Sequence, residues 1–148
     1  MRFHSEPLQD AWLDAYGHLN EAYCLVPFTN TTWIMQDHFK IGVDYFEKTG
    51  CALYTVETHL RYVSEVRQPA TIDVETMILG SDPKKIWFAH VMLVEEKICA
   101  TVEFMLLHYS TRENRTTPMP QETQTMLTDA EIDPRPNWVG RRISLGRQ

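Results

Sequence analysis

The chain has 148 residues, of which 43% are hydrophobic and 23% are charged, enough for one compact domain with its own core. Fourteen Lys and Arg against twenty Asp and Glu give a formal net charge of -6, which argues against nucleic acid or a membrane as a partner. No apolar run approaches the roughly 20 residues needed to cross a bilayer, and the first six residues resemble neither a signal nor a transit peptide. The sequence therefore predicts a cytoplasmic protein.

Several motifs that carry chemistry in other folds are missing from the sequence. The three cysteines, Cys24, Cys51 and Cys99, have neither CxxC nor Cys/His spacing, so neither a disulfide framework nor a zinc site is expected. A Gly-rich phosphate loop, an HExxH motif and a Gly-x-Ser-x-Gly elbow are also missing, which argues against nucleotide hydrolysis, zinc proteolysis and Ser-triad chemistry. We therefore expect neither a metal nor a cofactor.

The first third of the chain predicts a short strand and a long helix. Residues 3–13 form the candidate strand, and apolar side chains recur at helical spacing across residues 19–41. Asn20 is the expected N-cap, because its side-chain oxygen can accept hydrogen bonds from the amides of the first turn. Pro27 should kink or restart the helix, since an interior proline removes one helical hydrogen bond. Residues 43–48 then form one further helical turn.

From residue 51 onward the period changes from helical to alternating, which predicts strands separated by turns at residues 80–83 and around Glu95 and Glu96. A long helix beside a sequential antiparallel sheet is an α+β layer architecture, in which one sheet face wraps the helix. The other face must be covered by something else, which predicts a dimer. The predicted strands are residues 51–63, 70–79, 85–94 and 97–109.

The C-terminal segment is distinct from this domain. Pro118 and Pro120 end the last strand, so the domain spans residues 1–120 and a tail spans residues 121–148. A short helix is predicted over residues 121–132. The tail is expected to pack on its own domain or on a partner subunit, because it carries apolar residues among its arginines, namely Trp138, Val139, Ile143 and Leu145.

The most informative segment is residues 14–23, between the first strand and the helix. At a helix N-terminus, unpaired amides and the positive end of the dipole stabilise an anion, including the oxyanion that forms when an acyl carbonyl is attacked. Asp14 places a carboxylate just before this position. The alternative interpretation is that Asp14 and Asn20 only cap the helix and that Gly17 only turns the chain.

A second candidate feature lies in the first of the four strands. A period of two places Glu57, His59 and Arg61 on one face together with Thr55. If this face is open to water, it is an ordinary solvated edge. If it faces a cleft, Glu57 or His59 becomes a general base or an orienting partner within reach of the Asp14 loop.

Aromatic residues are concentrated in the first two thirds of the chain. Core packing explains most of them, but some can line a pocket for a cation, since a ring face attracts a quaternary ammonium by roughly 0.5 to 2 kcal/mol. The candidates are Trp12, Tyr16, Tyr23, Trp33, Tyr45, Tyr54 and Trp87.

Residues 14–20, Asp-Ala-Tyr-Gly-His-Leu-Asn, resemble the Asp-x-x-Gly-His-x-Asn signature of hotdog-fold acyl-CoA thioesterases of the 4-hydroxybenzoyl-CoA thioesterase-like group. Residues 60–62 resemble the second-strand segment of that group, and residues 115–120 resemble its closing Arg-x-x-x-hydrophobic-Pro. Residues 54–61 and 105–108 resemble the thioesterase module that is fused to some carnitine dehydrogenases. That branch is associated with hydrolysis of betainyl-CoA in carnitine breakdown.

The resemblance implies a long central helix wrapped by a five-stranded antiparallel sheet, with active sites at the interface of a homodimer or a dimer of dimers. In such enzymes the carboxylate that matches Asp14 acts as nucleophile or general base, and helix N-terminal amides, here near Asn20 to Tyr23, polarise the thioester carbonyl. Glu57 would come from the opposite wall, and His18 would hydrogen-bond the carboxylate or the thioester. Many relatives have a second Asn where this chain has Glu21, so their helix-start hydrogen bonds cannot be copied unchanged.

The sequence thus predicts a metal-free acyl-CoA thioesterase for a short acyl group, with betainyl-CoA as a candidate substrate. One alternative is a hotdog module that binds an acyl-CoA or a small cationic ligand without hydrolysing it. Another is an unrelated α+β ligand-binding or scaffold domain. The predicted catalytic residues are Asp14, His18, Asn20 and Glu57, and the predicted substrate-binding residues are Tyr16, Tyr23, Trp33 and His59.

Overall fold

A long helix lies against a curled antiparallel sheet in the computed structural model, which describes residues 1–145. The predicted order of one strand, a long helix and four further strands is confirmed. The helices are α1 (Leu25–His38), α2 (Val43–Thr49) and α3 (Gln121–Ala130), with a 3-10 turn at Asp10–Trp12. The strands are β1 (Arg2–Pro7), β2 (Cys51–Tyr62), β3 (Thr71–Asp82), β4 (Lys85–Val94), β5 (Lys97–Ser110) and β6 (Arg115–Thr116).

The strand order is β1-β3-β4-β5-β2, with the short β6 added to β5, and every neighbouring pair is antiparallel. In this order β1 and β2 form the two edges of the described sheet. This is the α+β hotdog architecture expected from the sequence. None of the helices within residues 1–145 is both long and apolar enough to cross a bilayer.

The turn between β3 and β4 lies later than predicted. Strand β3 continues through Gly80 to Asp82, which pairs with Lys85, and the Lys84 amide donates to the Asp82 carboxylate at 2.7 Å. The register shifts between Ile78 and Gly80, which places a bulge at Leu79, and Gly80 pairs with Trp87 in the strand instead of forming the turn. The turn around Glu95 and Glu96, by contrast, is confirmed, with φ of 51° and 62° at these residues.

Helix α1 begins at Leu25, six residues after the predicted start. Asn20 instead organises the preceding turn, where its Oδ1 accepts from the Ala22 amide at 2.9 Å. Pro27 is therefore the third helical residue, in the first turn, where backbone amides need no helical acceptor. The expected break in the helix does not occur for this reason.

His90 lies wholly buried between α1 and the sheet, where it bridges two threonines. Thr32 Oγ1 donates to the Phe28 carbonyl at 2.9 Å, so it accepts from His90 Nε2 at 3.0 Å. This tautomer leaves Nδ1 to accept from Thr76 Oγ1 at 2.9 Å. Burial lowers the pKa of His90 to about 3, so the imidazole is neutral at physiological pH.

The C-terminal segment contacts its own domain over the described residues 121–145. Thr123 Oγ1 of α3 donates to the Phe39 carbonyl at 3.0 Å, just after α1. Further on, the Gly140 amide donates to both carboxylate oxygens of Glu103 at 3.0 Å. The C-terminal segment therefore runs from the end of α1 to the face of the sheet that does not pack on α1. The last three residues of the predicted tail lie outside the described residues.

Candidate active site

Asp14 opens a tight loop that returns on itself at His18. The Asp14 amide donates to the His18 carbonyl at 2.8 Å, and Leu13 and Leu19 form an isolated antiparallel bridge beside this bond. Gly17 has a φ of +74°, in the left-handed region that side chains rarely adopt, which allows the chain to reverse over so few residues. The loop therefore holds the Asp14 side chain in a defined position.

The carboxylate of Asp14 accepts two backbone hydrogen bonds, from the Tyr16 amide at 2.8 Å and from the His18 amide at 3.1 Å. The bond from the His18 amide is the main reason why the pKa of Asp14 lies below its usual value, although partial desolvation opposes it. Both bonds end on Oδ1. Oδ2 accepts no hydrogen bond from a residue within 1–145, so it can take a proton from water or attack a carbonyl carbon.

Asp14 lines a cavity of about 460 Å³ that has both polar and apolar lining residues. The apolar residues include Met92 and Ala100 from β4 and β5. The polar lining residues include Asp14, His18, Asn20, Glu21, Tyr62 and Glu65. Three of the four predicted catalytic residues thus lie together, and their catalytic roles remain predictions.

His18 contributes to this cavity through both its backbone and its ring. Its Nε2 lies 2.9 Å from Glu65 Oε2, close enough for an ion pair, but the angles between the two groups are not those of a hydrogen bond. Glu65 also lies 3.4 Å from the guanidinium of Arg67. Glu65 was not predicted from the sequence, because the segment that follows β2 shows only a turn pattern and no periodicity that would indicate where its side chains point.

The amides proposed for an oxyanion hole are mostly engaged within the turn that precedes α1. The Ala22 amide donates to Asn20 Oδ1, and the amides of Tyr23 and Cys24 donate to the Asn20 carbonyl at 3.0 and 3.1 Å. Asn20 itself donates from its amide to the Trp12 carbonyl at 2.9 Å. Within residues 20–24, the Glu21 amide is the one that makes no hydrogen bond to a described residue.

Cys24 and Cys99 also line the cavity. Burial raises the pKa of the Cys24 thiol to about 12 and also raises that of Cys99. Both thiols are therefore protonated at neutral pH and are poor nucleophiles. Neither thiol therefore competes with Asp14 as the candidate reactive group of this cavity.

Glu57 and His59 lie on the other face of the sheet. They line a separate cavity of about 580 Å³ together with Trp87 and Glu103, and His59 Nδ1 is 3.8 Å from Glu103 Oε1. Within one chain they therefore line a different cavity from the Asp14 loop. Their role relative to the Asp14 site of a second copy remains a prediction.

The expected grouping of Thr55 with Glu57 is wrong. Thr55 pairs with Leu106, whose side chain lies in the core beneath α1, whereas Glu57 pairs with Met105 on the opposite face. The register shifts between these two residues because Val56 forms a bulge, and one extra residue reverses the facing of the rest of the strand.

The aromatic residues expected to form a cation pocket are dispersed. Tyr16 is 81% exposed, and Trp33 lies in a different groove. Trp87 lines the Glu103 cavity. The Tyr45 hydroxyl donates a hydrogen bond to His108 Nε2 at 3.1 Å. Among the described residues, none of the seven candidates lines the Asp14 cavity, and Tyr62 is the aromatic residue that does. Tyr62 belongs to the strand segment that resembles the family, and this resemblance could have indicated Tyr62 as a site residue.

A family model described as the thioesterase-like superfamily matches residues 8–127, a range that includes every residue lining the Asp14 cavity. The chain belongs to the thioesterase-like superfamily. Within this superfamily, the betainyl-CoA thioesterase of Pseudomonas aeruginosa is 30% identical over 145 residues, covering 94% of this chain and 91% of that protein.

Two further comparisons extend this result. The L-carnitine dehydrogenase/betainyl-CoA thioesterase of Agrobacterium fabrum is 35% identical over 151 residues, covering 99% of this chain and 31% of that protein. The chain thus spans about a third of the length of that relative. A Staphylococcus aureus protein solved in complex with CoA superposes with a TM-score of 0.90 at 18% identity, covering 99% of this chain and 96% of that one. The hotdog fold of the superfamily is confirmed by this similarity.

Proposed function

We propose that the chain hydrolyses a short acyl-CoA thioester, with betainyl-CoA as the candidate substrate. The observation that carries this proposal is the Asp14 carboxylate, which two amides fix through Oδ1 at the wall of a cavity large enough for a small acyl group. The names of the relatives at 30% and 35% identity support the substrate. The CoA bound to the structural neighbour from Staphylococcus aureus supports the carrier.

In the proposed reaction Asp14 acts through Oδ2 as the base that takes a proton from water. The water oxygen bonds to the thioester carbon, the C–S bond breaks, and the CoA thiolate leaves and takes up a proton. The Glu21 amide is the proposed donor to the carbonyl oxygen, since the neighbouring amides are engaged with Asn20. In the alternative course Asp14 attacks the carbon itself, and water then hydrolyses the mixed anhydride.

The exposed edge of the sheet supports assembly with a second copy. Val56 is 54% exposed on β2, and a groove of about 360 Å³ beside it is lined by Trp33, Phe46 and Tyr54, which are 44% to 52% exposed. An apolar edge strand of this kind is normally covered in native proteins. We propose that two copies pair through β2, as a homodimer or as half of a dimer of dimers.

The proposed place of action is the cytoplasm. Cys24, Cys51 and Cys99 are all present as thiols rather than as disulfides. Unpaired cysteines are typical of proteins that work in a reducing compartment.

Thiol release from purified protein tests the activity. The panel contains betainyl-CoA, short straight-chain acyl-CoAs and 4-hydroxybenzoyl-CoA, and a thiol-reactive dye follows the free CoA. We expect turnover of betainyl-CoA that Asp14→Asn abolishes. Tight binding of these esters by folded protein, with no thiol released from any of them, would instead establish a non-hydrolysing binding module.

A further inference from the structure

Tyr62 and Glu21 form a linked pair in the wall of the Asp14 cavity, and the proposed hydrolysis leaves the Tyr62 ring and the Glu21 carboxylate without a role. The Tyr62 hydroxyl donates to the Glu21 carbonyl at 3.1 Å, joining the end of β2 to the turn that precedes α1. This bond fixes the ring, which is nevertheless 58% exposed. A fixed aromatic ring at the edge of a cavity can receive a ligand without losing further side-chain entropy.

The charges around the cavity are predominantly negative. Three carboxylates line it, from Asp14, Glu21 and Glu65, and no Lys or Arg side chain is among its described lining residues. Glu65 is engaged by His18 and Arg67, and Asp14 is assigned to the reaction. The Glu21 carboxylate makes no ion pair with a described residue, so its charge is available to a ligand.

An aromatic ring beside an unpaired carboxylate is suited to binding a quaternary ammonium group. Its methyl groups cannot donate ordinary hydrogen bonds, so a protein recognises it through aromatic ring faces and uncompensated negative charge. In a betainyl thioester the nitrogen is separated from the reacting carbonyl by one methylene. The group that recognises the cation must therefore line the same cavity as the group that promotes hydrolysis, as Tyr62 and Asp14 do.

We propose that the Tyr62 ring and the Glu21 carboxylate select acyl groups that carry a quaternary ammonium, and this inference rests on the proposed thioesterase function. Met92 and Ala100 also line this cavity and supply apolar side chains against which the methyl groups can pack.

Two esters of the same shape test the proposal. Betainyl-CoA and 3,3-dimethylbutanoyl-CoA differ only in whether a positively charged nitrogen or a neutral carbon bears the three methyl groups. The measured quantity is the ratio of kcat/KM for the charged ester to kcat/KM for the neutral one. Comparing this ratio between variants cancels the different intrinsic reactivity of the two thioesters.

Tyr62→Leu should lower the ratio about tenfold, because it removes the ring face that the cation contacts. Tyr62→Phe keeps the ring and loses only the bond to the Glu21 carbonyl, so its ratio should fall less than that of the Leu variant. Glu21→Gln should lower the ratio severalfold through loss of one charge. Glu47→Gln, on α2 and away from the cavity, removes the same charge and should leave the ratio at the wild-type value.

Failure of the selectivity proposal can be distinguished from failure of the proposed thioesterase function. If Tyr62→Leu and Glu21→Gln turn over both esters with the wild-type ratio, the selectivity proposal is overturned and the thioesterase function stands. If folded wild-type protein hydrolyses neither ester, the proposed function fails and the selectivity proposal fails with it. Far-UV circular dichroism of each variant shows that it retains the fold before its ratio is interpreted.

Discussion

The Nε2 of His90 donates a hydrogen bond to Thr32 Oγ1 at 3.0 Å, which joins the centre of the sheet to the middle of α1. Three rings, those of Phe28, Phe88 and Phe104, surround the imidazole with centroids 5.0 to 6.0 Å from its own. A neutral histidine satisfies both threonines, whereas a protonated one would carry a second N–H that Thr76 would have to accept. This buried contact makes the stability of the fold depend on pH.

Stability should fall as the pH drops below 6.5. The pKa of His90 is lowered from 6.5 to about 3 by burial, so between these values the unfolded chain binds a proton that the native chain does not. The stabilisation is complete above pH 6.5 and is lost by about 1.4 kcal/mol per pH unit on the way down to about 3. Urea unfolding at pH 7, 6 and 5 measures this slope.

His90→Gln is the control for that slope, since it keeps a polar side chain but does not titrate. The buried His108, whose pKa is also lowered by burial, contributes equally to both proteins. Equal pH slopes in wild type and His90→Gln would contradict the assignment of the effect to His90.

Asp14→Asn should retain the fold and lose activity by about a hundredfold or more, as expected for removal of a catalytic base. The asparagine oxygen can still accept from the amides of Tyr16 and His18, so the loop keeps its hydrogen bonds. The measurement is thiol release from betainyl-CoA, alongside thermal unfolding of both proteins. Wild-type turnover in this variant is the outcome that would remove Asp14 from the mechanism.

The pH profile of kcat/KM should extend well into the acid range. The hydrogen bond from the His18 amide is the main cause that holds the pKa of Asp14 below its usual value, so the carboxylate stays ionised to a lower pH than an ordinary aspartate does. Activity that needs this base is therefore retained as the pH falls to the usual aspartate range and is lost only on further acidification. An acidic limb centred above pH 5, in protein shown to be folded there, would assign the base to another group.

Glu103→Gln should loosen the C-terminal tail. The carboxylate accepts from the Gly140 amide through both oxygens and from Trp87 Nε1 at 3.2 Å, and hydrogen bonds to a charged group contribute about 1.5 to 3 kcal/mol. Weakening them should speed tryptic cleavage after Arg141 and Arg142 severalfold. Glu113→Gln, which alters an exposed ion pair with Arg115, is the matched control and should be cleaved at the wild-type rate.

Val56→Lys should prevent the proposed pairing of two copies through β2, because a charge on an exposed edge opposes strand addition. Sedimentation velocity of wild type and variant measures the difference, with a shift to the monomer expected for the variant. The matched control is Val63→Lys, since Val63 is just as exposed but lies beyond the end of β2. A wild-type protein that sediments as a monomer at micromolar concentration would contradict the pairing.

The sequence predicted the fold well in those segments where apolar residues recur with the period of a strand or a helix. The limits of β4 agree residue for residue, and the left-handed turn at Glu95 and Glu96 follows from its position between two alternating runs. The start of α1 was wrong because apolar spacing continues through residues 19–24, which form turns instead. Pro27 marks the first turn of the helix, and this placement explains the residue better than an interior kink does.

The candidate site was only partly predictable, for a physical reason. Asp14, His18 and Asn20 lie within one loop, so a local motif finds them together. Tyr62 and Glu65 line the same cavity although they lie more than forty residues further along the chain. A local sequence pattern cannot predict a contact between such distant segments.

The second half of β2 serves two cavities at once. Glu57, Thr58 and His59 line the Glu103 cavity and Tyr62 lines the Asp14 cavity, and all four follow the bulge at Val56. Because neighbouring strand residues face opposite ways, one residue added or removed between His59 and Tyr62 would turn one of these two groups to the wrong face. During divergence of such a chain, substitutions in this half of β2 can therefore accumulate one at a time, whereas a change in its length would disrupt one of the two cavities.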